Sequence, residues 1–188
     1  PPQPPEAYAR AVLVDGFHVH VPHALERLRA KAKAEGLWSL QMPKERGGQG
    51  LSLVGMAACY EEMNRSIFGP VCFNSAAPDD GNMMVLNKIG TDAQKERWLQ
   101  PIIDGKVRSA FAMTEPDVAS SDARNVSTTA VLENGEWVIN GEKYYISGAG
   151  DPRCKVMIVM VQTNPDGPPH RRQSQILVPM DAPGVEVL

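Results

Sequence analysis

The sequence predicts an α+β fold, with a helical amino-terminal domain at residues 1–106 and a β domain at residues 107–188. Two observations support this prediction. Before Gly105 apolar residues recur at helical spacings of three and four, whereas beyond it the period shortens toward two and turn residues become frequent. Helices that precede strands along a chain are typical of α+β architecture, so we expect an antiparallel β-sandwich or barrel after the helices.

The first helix is predicted between Pro22 and Glu35. Leu25, Leu28 and Ala32 recur on one stripe, and Gly36 follows where a helix would stop. A proline suits the first turn of a helix because the amide that it lacks has no helical partner there.

A second amphipathic helix is predicted over residues 53–68. Met56, Cys59, Tyr60 and Met63 share one stripe of this segment. Because methionine fills irregular gaps between apolar side chains, we expect this stripe to belong to the core.

Two further helices have recognisable beginnings. Residues 79–81, Asp-Asp-Gly, predict a start with an aspartate as the cap. Thr91 followed by Gln94 matches the capping box, after which Trp98 and Leu99 are expected to face inward. Pro101 is expected to end or kink this last helix, because proline lacks the amide that a helix interior needs.

The β domain is predicted from a hairpin and two more strands. Asn134 and Gly135 separate the β-rich runs VSTTAVLE and EWVING, and an Asn-Gly pair readily takes the positive φ angles of a tight hairpin turn. Two further strands are predicted at residues 155–163 and 173–180. The first of these is continuously apolar, so it is expected to be buried between layers.

Composition narrows the classes of partner. The 188 residues are 43% apolar, and 19 basic against 22 acidic residues give a net charge of -3, which provides no footprint for nucleic acid or an anionic membrane. No apolar run approaches the length of about 20 residues that spans a bilayer, and PPQPPEAYAR lacks the apolar core of a signal peptide. We therefore expect a soluble intracellular protein.

Cysteines and histidines do not predict a metal site. The three cysteines are odd in number and have no CxxC spacing, which argues against a disulfide framework and a zinc site alike. They are expected to be buried thiols: Cys59, Cys72 and Cys154. The alternating histidines in FHVHVPH have no nearby acidic or cysteine ligand, so surface or turn positions are expected for His18, His20 and His23.

The segment FAMTEPDVASSD, residues 111–122, predicts a corner. A short strand, VRSAFAM, runs into Thr-Glu-Pro, and the proline forces the chain to leave the sheet. Thr114 at this corner would present a hydroxyl beside backbone amides. Such a corner suits a planar, hydrogen-bonding cofactor as well as it suits a plain turn of Asp, Ser and Pro.

FAMTEPDVASSD, followed by NGEKYYISGAG, resembles the signature of the acyl-CoA dehydrogenase family. The segments GTDAQKERWLQPIIDGK and KAEGLWSLQMPKERGGQGL also resemble the family, so the similarity covers nearly the whole chain. Within the family, APDDGNM and ILVPMDAPGV are most similar to the branch that includes dehydrogenases fused to a kinase-like domain.

The resemblance implies FAD-dependent α,β-dehydrogenation of acyl-CoA thioesters to enoyl-CoA, with electrons passed to an electron-transfer flavoprotein. In this family the catalytic base is a glutamate on a carboxy-terminal helical bundle, which also joins subunits into homodimers or homotetramers. The 188 residues do not include such a bundle, so we expect no catalytic residue in this chain and no activity from it in isolation. The family implies a cytoplasmic protein in bacteria and a mitochondrial or peroxisomal protein in eukaryotes.

Matching positions imply the site residues. Phe111, Met113 and Thr114 correspond to residues that lie along the flavin. Tyr145 corresponds to an aromatic residue that shields the flavin, Ile146 is its neighbour, and Ser147 corresponds to a hydroxyl residue that hydrogen-bonds the cofactor. The family's usual tryptophan is replaced by tyrosine at position 145.

Ser121 corresponds to the serine that contacts acyl-CoA. A one-residue insertion makes Ser120 the competing candidate. Glu115 corresponds to a structural residue of the family's Thr-Glu-Pro turn, which we expect here in preference to proton transfer.

Two other functions remain open. An acyl-CoA oxidase or flavin monooxygenase would share the fold and differ in how the reduced flavin meets oxygen. A non-catalytic flavin- or acyl-binding module would retain the two domains without the reaction.

Overall fold

The computed structural model describes residues 23–188, which form two compact units. The helical unit runs to Arg108 and also includes Asp151–Arg153. The sheet unit consists of Ser109–Gly150 and Cys154–Leu188.

The helical unit contains six α-helical segments in its described part, with a π-helical turn between the last two. They are α1 His23–Ala34, α2 Leu53–Met63, α3 Gly69–Cys72, α4 Asp79–Ile89, α5 Asp92–Gln94 and α6 Gln100–Ile103. The predicted first helix is confirmed from His23 onward, whereas Pro22 lies outside the described residues. Ala32 on its stripe is buried, but Leu28 is half exposed.

Helix α2 ends at Met63, so the prediction of a helix through residue 68 was wrong. Asn64 Nδ2 donates to the carbonyl of Tyr60 at 2.8 Å and caps the helix end. The chain then folds back so closely that a Cβ on Gly69 would lie 1.8 Å from the carbonyl oxygen of Met63. The core prediction for this stripe is confirmed, because Met56 and Met63 are buried and pack in one cluster.

Helix α4 begins at Asp79, as predicted, but the aspartate cap was wrong. The residue at the N-cap is Pro78, whose side chain makes no capping bond. The Asp79 carboxylate instead accepts from Arg108 Nε at 2.8 Å, and Asp80 Oδ1 accepts from the adjacent amide of Gly81 at 2.7 Å. Asp79 thus forms an ion pair with Arg108 at the first residue of the helix.

The capping box is confirmed at α5. Thr91 Oγ1 accepts from the amide of Gln94 at 3.2 Å, and Gln94 Oε1 accepts from the amide of Thr91 at 2.9 Å. The helical path does not end at Pro101, because Lys95–Leu99 form a π-helical turn and Gln100–Ile103 continue as α6. The widened turn ends two residues before Pro101, and the helical path continues through this residue that lacks an amide. Leu99 on this path is fully buried and Trp98 is half-buried.

Gly105 follows the end of α6 and lies close to the Trp38 side chain. Its φ of 71° lies in the left-handed region, and a Cβ there would be 2.5 Å from Trp38 Cζ2. Glycine is the residue that tolerates both conditions, because it has no Cβ.

Residues 151–153 belong to the helical unit although they lie between two strands in the sequence. The amide of Arg108 donates to the carbonyl of Arg153 at 2.8 Å, and the Arg108 guanidinium lies 3.8 Å from Asp151 Oδ2. Asp151 also pairs with Arg153 at 2.7 Å. The helical unit is thus built from two separate pieces of sequence.

The five-stranded sheet has the order β1-β4-β2-β3, and β5 also pairs with β4. The strands are β1 Arg108–Ala112, β2 Thr129–Glu133, β3 Glu136–Asn140, β4 Cys154–Gln162 and β5 Gln173–Pro179. The α+β class is confirmed. The sheet is mixed, since β2 pairs antiparallel with β3 and β5 with β4, but β2 and β4 meet in parallel through Thr129 and Gln162.

The Asn-Gly hairpin is confirmed between β2 and β3. Asn134 and Gly135 have φ angles of 52° and 87°, as a tight hairpin turn requires. The sheet core contains Ala112 at the end of β1, together with Val159 and Val161 of β4. The end of β1 is thereby anchored immediately before the Thr-Glu-Pro corner.

Residues 23–188 include no helix that is long and apolar enough to cross a membrane. In the same part of the chain, no cluster of three or more His, Cys, Asp or Glu side chains could hold a metal ion. None of the three cysteines, all of which lie in the described residues, forms a disulfide; Cys72 and Cys154 are buried, and Cys59 is half-buried. His18 and His20 lie outside the described residues.

Candidate functional site

The Thr-Glu-Pro corner is clamped to the segment that follows β3. The amide of Tyr144 donates to the carbonyl of Thr114 at 2.8 Å, and Thr114 Oγ1 donates to the carbonyl of Tyr144. The two residues are 30 positions apart in the sequence. This reciprocal pair holds together the two segments to which the sequence assigned a cofactor.

Glu115, the middle residue of the corner, is buried, and its carboxylate accepts hydrogen bonds from several donors. The donors are the Ser127 amide at 2.8 Å, the Ser127 hydroxyl, the Thr128 amide at 2.9 Å, the Thr128 hydroxyl at 2.6 Å and Lys143 Nζ at 2.8 Å. Burial alone would raise the pKa of Glu115, but the bonds from Lys143, Ser127 and Thr128 outweigh it and lower the pKa to about 2. The carboxylate is therefore ionised and engaged on all sides, which agrees with a structural role.

Lys143 connects both sides of the clamp. Its ammonium lies 2.8 Å from Glu115 Oε1 and 3.0 Å from the carbonyl oxygen of Met113. The side chain is 11% exposed, and that of Glu115 is 2% exposed. Burial lowers the pKa of Lys143, and the Glu115 carboxylate opposes this change. A lowered pKa favours the charged form of Glu115 but not that of Lys143. This difference follows from their contacts, since the carboxylate accepts from five donors and the ammonium donates to two acceptors.

The residues assigned to a flavin lie on these two clamped segments. On the first segment Thr114 is exposed, and Phe111 and Met113 are half-buried. On the second, Ser147 is exposed, and Ile146 is half-buried and packs against the sheet core.

Tyr145 is the most unusual residue of the second segment. Its φ is 52°, a left-handed conformation that is uncommon for a bulky residue, and its side chain is 85% exposed. Its ring lies 4.1 Å from that of Tyr144, at an interplanar angle of 47°. The clamp on the Tyr144 backbone thus presents an aromatic surface at the next residue.

The two adjacent serines are in different environments. Ser120 is buried, and its hydroxyl accepts from the amide of Glu115 at 2.6 Å. Ser121 is exposed. Of the two candidates for a substrate contact, Ser120 supports the corner and Ser121 faces solvent.

The residues that are present fit an isoalloxazine ring. Among the residues assigned to the flavin, Thr114, Tyr145 and Ser147 are exposed and none of them carries a formal charge, whereas the exposed carboxylates of the two segments, Asp117 and Glu142, belong to other positions. The charge of Glu115 is buried and paired. A planar heteroaromatic ring is well matched by an apolar ring face and neutral hydrogen-bonding groups.

Sequence reasoning missed Lys143, Ser127 and Thr128. Lys143 reaches its partner across 28 residues, and the two hydroxyl residues reach theirs across 12 and 13. No periodic pattern relates such positions.

Comparison with known families identifies the class. Residues 9–106 match the family model described as acyl-CoA dehydrogenase, N-terminal domain, and residues 110–188 match the one described as acyl-CoA dehydrogenase, middle domain. The chain belongs to the acyl-CoA dehydrogenase family.

Individual relatives of this chain are also named as acyl-CoA dehydrogenases. The chain is 49% identical over 168 residues to FadE2 of Mycobacterium tuberculosis, named a probable acyl-CoA dehydrogenase; the match covers 89% of this chain and 40% of the relative. It is also 49% identical over 169 residues to mouse acyl-CoA dehydrogenase family member 10, covering 87% of this chain and 16% of that protein. The chain thus spans less than half the length of these relatives.

Solved structures are similar as well. A protein of Mycobacterium abscessus, provisionally described as an acyl-CoA dehydrogenase, superposes with a TM-score of 0.86 at 49% identity, covering 95% of this chain and 44% of that one. A glutaryl-CoA dehydrogenase from Mycobacterium smegmatis in complex with FADH2 superposes with a TM-score of 0.66 at 26% identity, covering 84% of this chain and 38% of that one.

Proposed function

We propose that this chain is the flavin- and substrate-contacting part of an FAD-dependent dehydrogenase that converts acyl-CoA thioesters to enoyl-CoA. The observation that carries this proposal is the reciprocal hydrogen bonding between Thr114 and Tyr144. It brings together two segments that the family resemblance assigns to one cofactor. The complex of a structural relative with FADH2 supports the choice of cofactor.

In this proposal Phe111, Met113 and Thr114 line one part of the flavin, and Tyr145, Ile146 and Ser147 line another. Bound FAD would supply the hydride acceptor for the reaction. The Tyr145 ring would cover a face of the isoalloxazine and exclude water from it. Because Thr114 Oγ1 donates its proton to Tyr144, the lone pairs of Oγ1 are what this hydroxyl offers outward.

The substrate contact is proposed at Ser121. Its neighbour Ser120 already accepts from Glu115, whereas Ser121 is exposed and can reach a ligand. The paired Glu115 carboxylate is a poor proton acceptor at neutral pH, because its pKa is lowered to about 2. We therefore do not propose Glu115 as the catalytic base, and the family resemblance assigns that role to a glutamate on a carboxy-terminal helical bundle.

We further propose that an electron-transfer flavoprotein accepts the electrons, that the protein is a homodimer or homotetramer, and that it acts inside the cell. These proposals rest on family membership.

The test begins with the complete protein purified from its source organism. A visible flavin spectrum that bleaches anaerobically on addition of a saturated acyl-CoA is the expected result. Absence of bound or bindable FAD would overturn the proposal. Bound FAD that no acyl-CoA bleaches would favour a binding module, and rapid reoxidation of the bleached flavin by oxygen would favour an oxidase or monooxygenase.

A further inference from the structure

We infer that Lys143 is a positioning residue for the flavin-facing corner. The inference rests on the proposed function, since it concerns the cofactor surface proposed above. Lys143 lies within the motif NGEKYYISGAG, but no role was predicted for it from the sequence. The argument comes from what its ammonium contacts and from where those contacts lie.

Lys143 joins the two segments at the points next to the proposed flavin contacts. The carbonyl that it binds, at 3.0 Å, belongs to Met113, which directly precedes Thr114. Lys143 itself lies two residues before Tyr145, the exposed residue with a φ of 52°. Lys143 therefore belongs to one segment of the clamp and is bonded to the backbone of the other.

The burial of Lys143 makes its position restrictive. A buried ammonium is costly unless its partners stay in place, so an 11%-exposed Lys143 has few alternative positions. Its two acceptors come from different parts of the corner, the Glu115 side chain and the Met113 backbone. The Lys143 ammonium, bonded to both of these acceptors, therefore helps to fix the distance between its own segment and the one that contains Met113 and Glu115.

Glu115 does not depend on Lys143 alone. Without the ammonium, the carboxylate would retain four donors, the amide and hydroxyl of Ser127 and of Thr128. The two residues that directly precede β2 therefore remain bonded to Glu115 when Lys143 is removed. The Met113 carbonyl, by contrast, loses the contact that Lys143 provides. The effect of removing Lys143 should thus concentrate where the flavin is proposed to lie.

Lys143→Met in the complete protein tests this inference. Methionine keeps an unbranched chain of similar length without the charge. The matched control is Lys106→Met, which removes an equally close lysine ion pair, 2.7 Å from Asp104, from an exposed site where the lysine is 73% exposed. The measurements are the dissociation constant for FAD by fluorescence titration of the apoprotein, the visible spectrum of bound flavin and far-ultraviolet circular dichroism.

We expect Lys143→Met to weaken FAD binding by about tenfold or more and to shift the flavin absorption bands, with the circular dichroism of the wild type. Lys106→Met should match the wild type in all three. An FAD affinity and flavin spectrum equal to those of the wild type in a folded Lys143→Met variant would overturn the inference and leave the proposed function standing. Wild-type protein that binds no FAD would overturn both.

A second variant covers the case in which Lys143→Met fails to fold. Lys143→Gln is shorter and neutral and keeps a hydrogen-bond donor near the end of the side chain. Weakened FAD binding with a shifted flavin spectrum supports the inference here too, and unchanged values contradict it.

Discussion

Trp38 Nε1 donates a 2.6 Å hydrogen bond to the carbonyl of Ile103, the last residue of α6. The carbonyl is at a helix end, where the helix itself supplies no donor. Lys33 and Arg29 lie over the same indole ring, at 4.3 Å and 5.1 Å from its centroid. One side chain thereby ties α1 to the end of α6.

Trp38→Phe should destabilise the protein by about 1–3 kcal/mol, because it removes the indole donor from a buried carbonyl. Ser39 Oγ and Asn74 Nδ2 also point at this carbonyl, but only at 3.4 Å each. Urea unfolding followed by circular dichroism measures the loss. Trp98→Phe, at a half-buried ring over which Arg97 lies at 4.5 Å, is the control and should cost under about 1 kcal/mol. Equal losses would show that the Ile103 bond contributes nothing specific.

Gly105→Ala should be more harmful than Gly47→Ala. Both glycines have positive φ angles, 71° and 92°, so alanine costs about 1 kcal/mol at either position for the backbone alone. At Gly105 the new Cβ also meets Trp38 Cζ2 at 2.5 Å, whereas at Gly47 nothing lies within 4 Å. We expect a further loss of about 1–3 kcal/mol for Gly105→Ala. Thermal unfolding of the two variants under the same conditions measures the difference. Indistinguishable melting curves for Gly105→Ala and Gly47→Ala would contradict the close contact between Gly105 and Trp38.

Acid should destabilise the sheet unit through Glu115. Its pKa is lowered in the folded state from 4.5 to about 2, so its contribution is fully present above pH 4.5 and is lost as the pH falls toward 2. The shift corresponds to about 3 kcal/mol.

Urea unfolding at pH 6, 4 and 3 measures this acid dependence. Glu115→Gln should be less stable at pH 6 and lose less stability on acidification. Glu136→Gln, at an exposed site on β3, should follow the wild type. A Glu115→Gln variant with the full acid dependence of the wild type would refute the assignment.

Thr114→Val should weaken FAD binding by about tenfold, because it removes the hydroxyl that binds Tyr144 and is proposed to face the flavin. Thr129→Val is the control, since this exposed hydroxyl makes only a 3.5 Å contact with the Asn140 carbonyl. Fluorescence titration of the two apoproteins with FAD gives the comparison. Equal FAD affinities would remove Thr114 from the proposed contact surface.

Local features of the fold could be predicted from the sequence. The capping box of Thr91 and Gln94 and the hairpin at Asn134 and Gly135 each depend on residues within a few positions of one another. Their side chains and φ preferences therefore determine the structure almost without reference to the rest of the chain.

Contacts between distant residues could not be predicted in the same way. The close return of Gly69 to Met63 after α2 and the bond from Arg108 to Asp79, 29 residues away, are contacts of this kind. In the candidate site, the motif containing Thr114 was visible in the sequence. Its support by Lys143 was not, because hydrogen bonds across 28 residues leave no periodic trace.

The return of Asp151–Arg153 to the helical unit affects how the gene could be dissected. A coding sequence cut once after Arg108 would omit the carbonyl that binds the Arg108 amide and the carboxylate beside its guanidinium. The other product would carry Asp151 and Arg153 without that partner. The two units therefore cannot be exchanged as cassettes at one junction, and a chimaera that preserves both needs junctions on either side of the tripeptide.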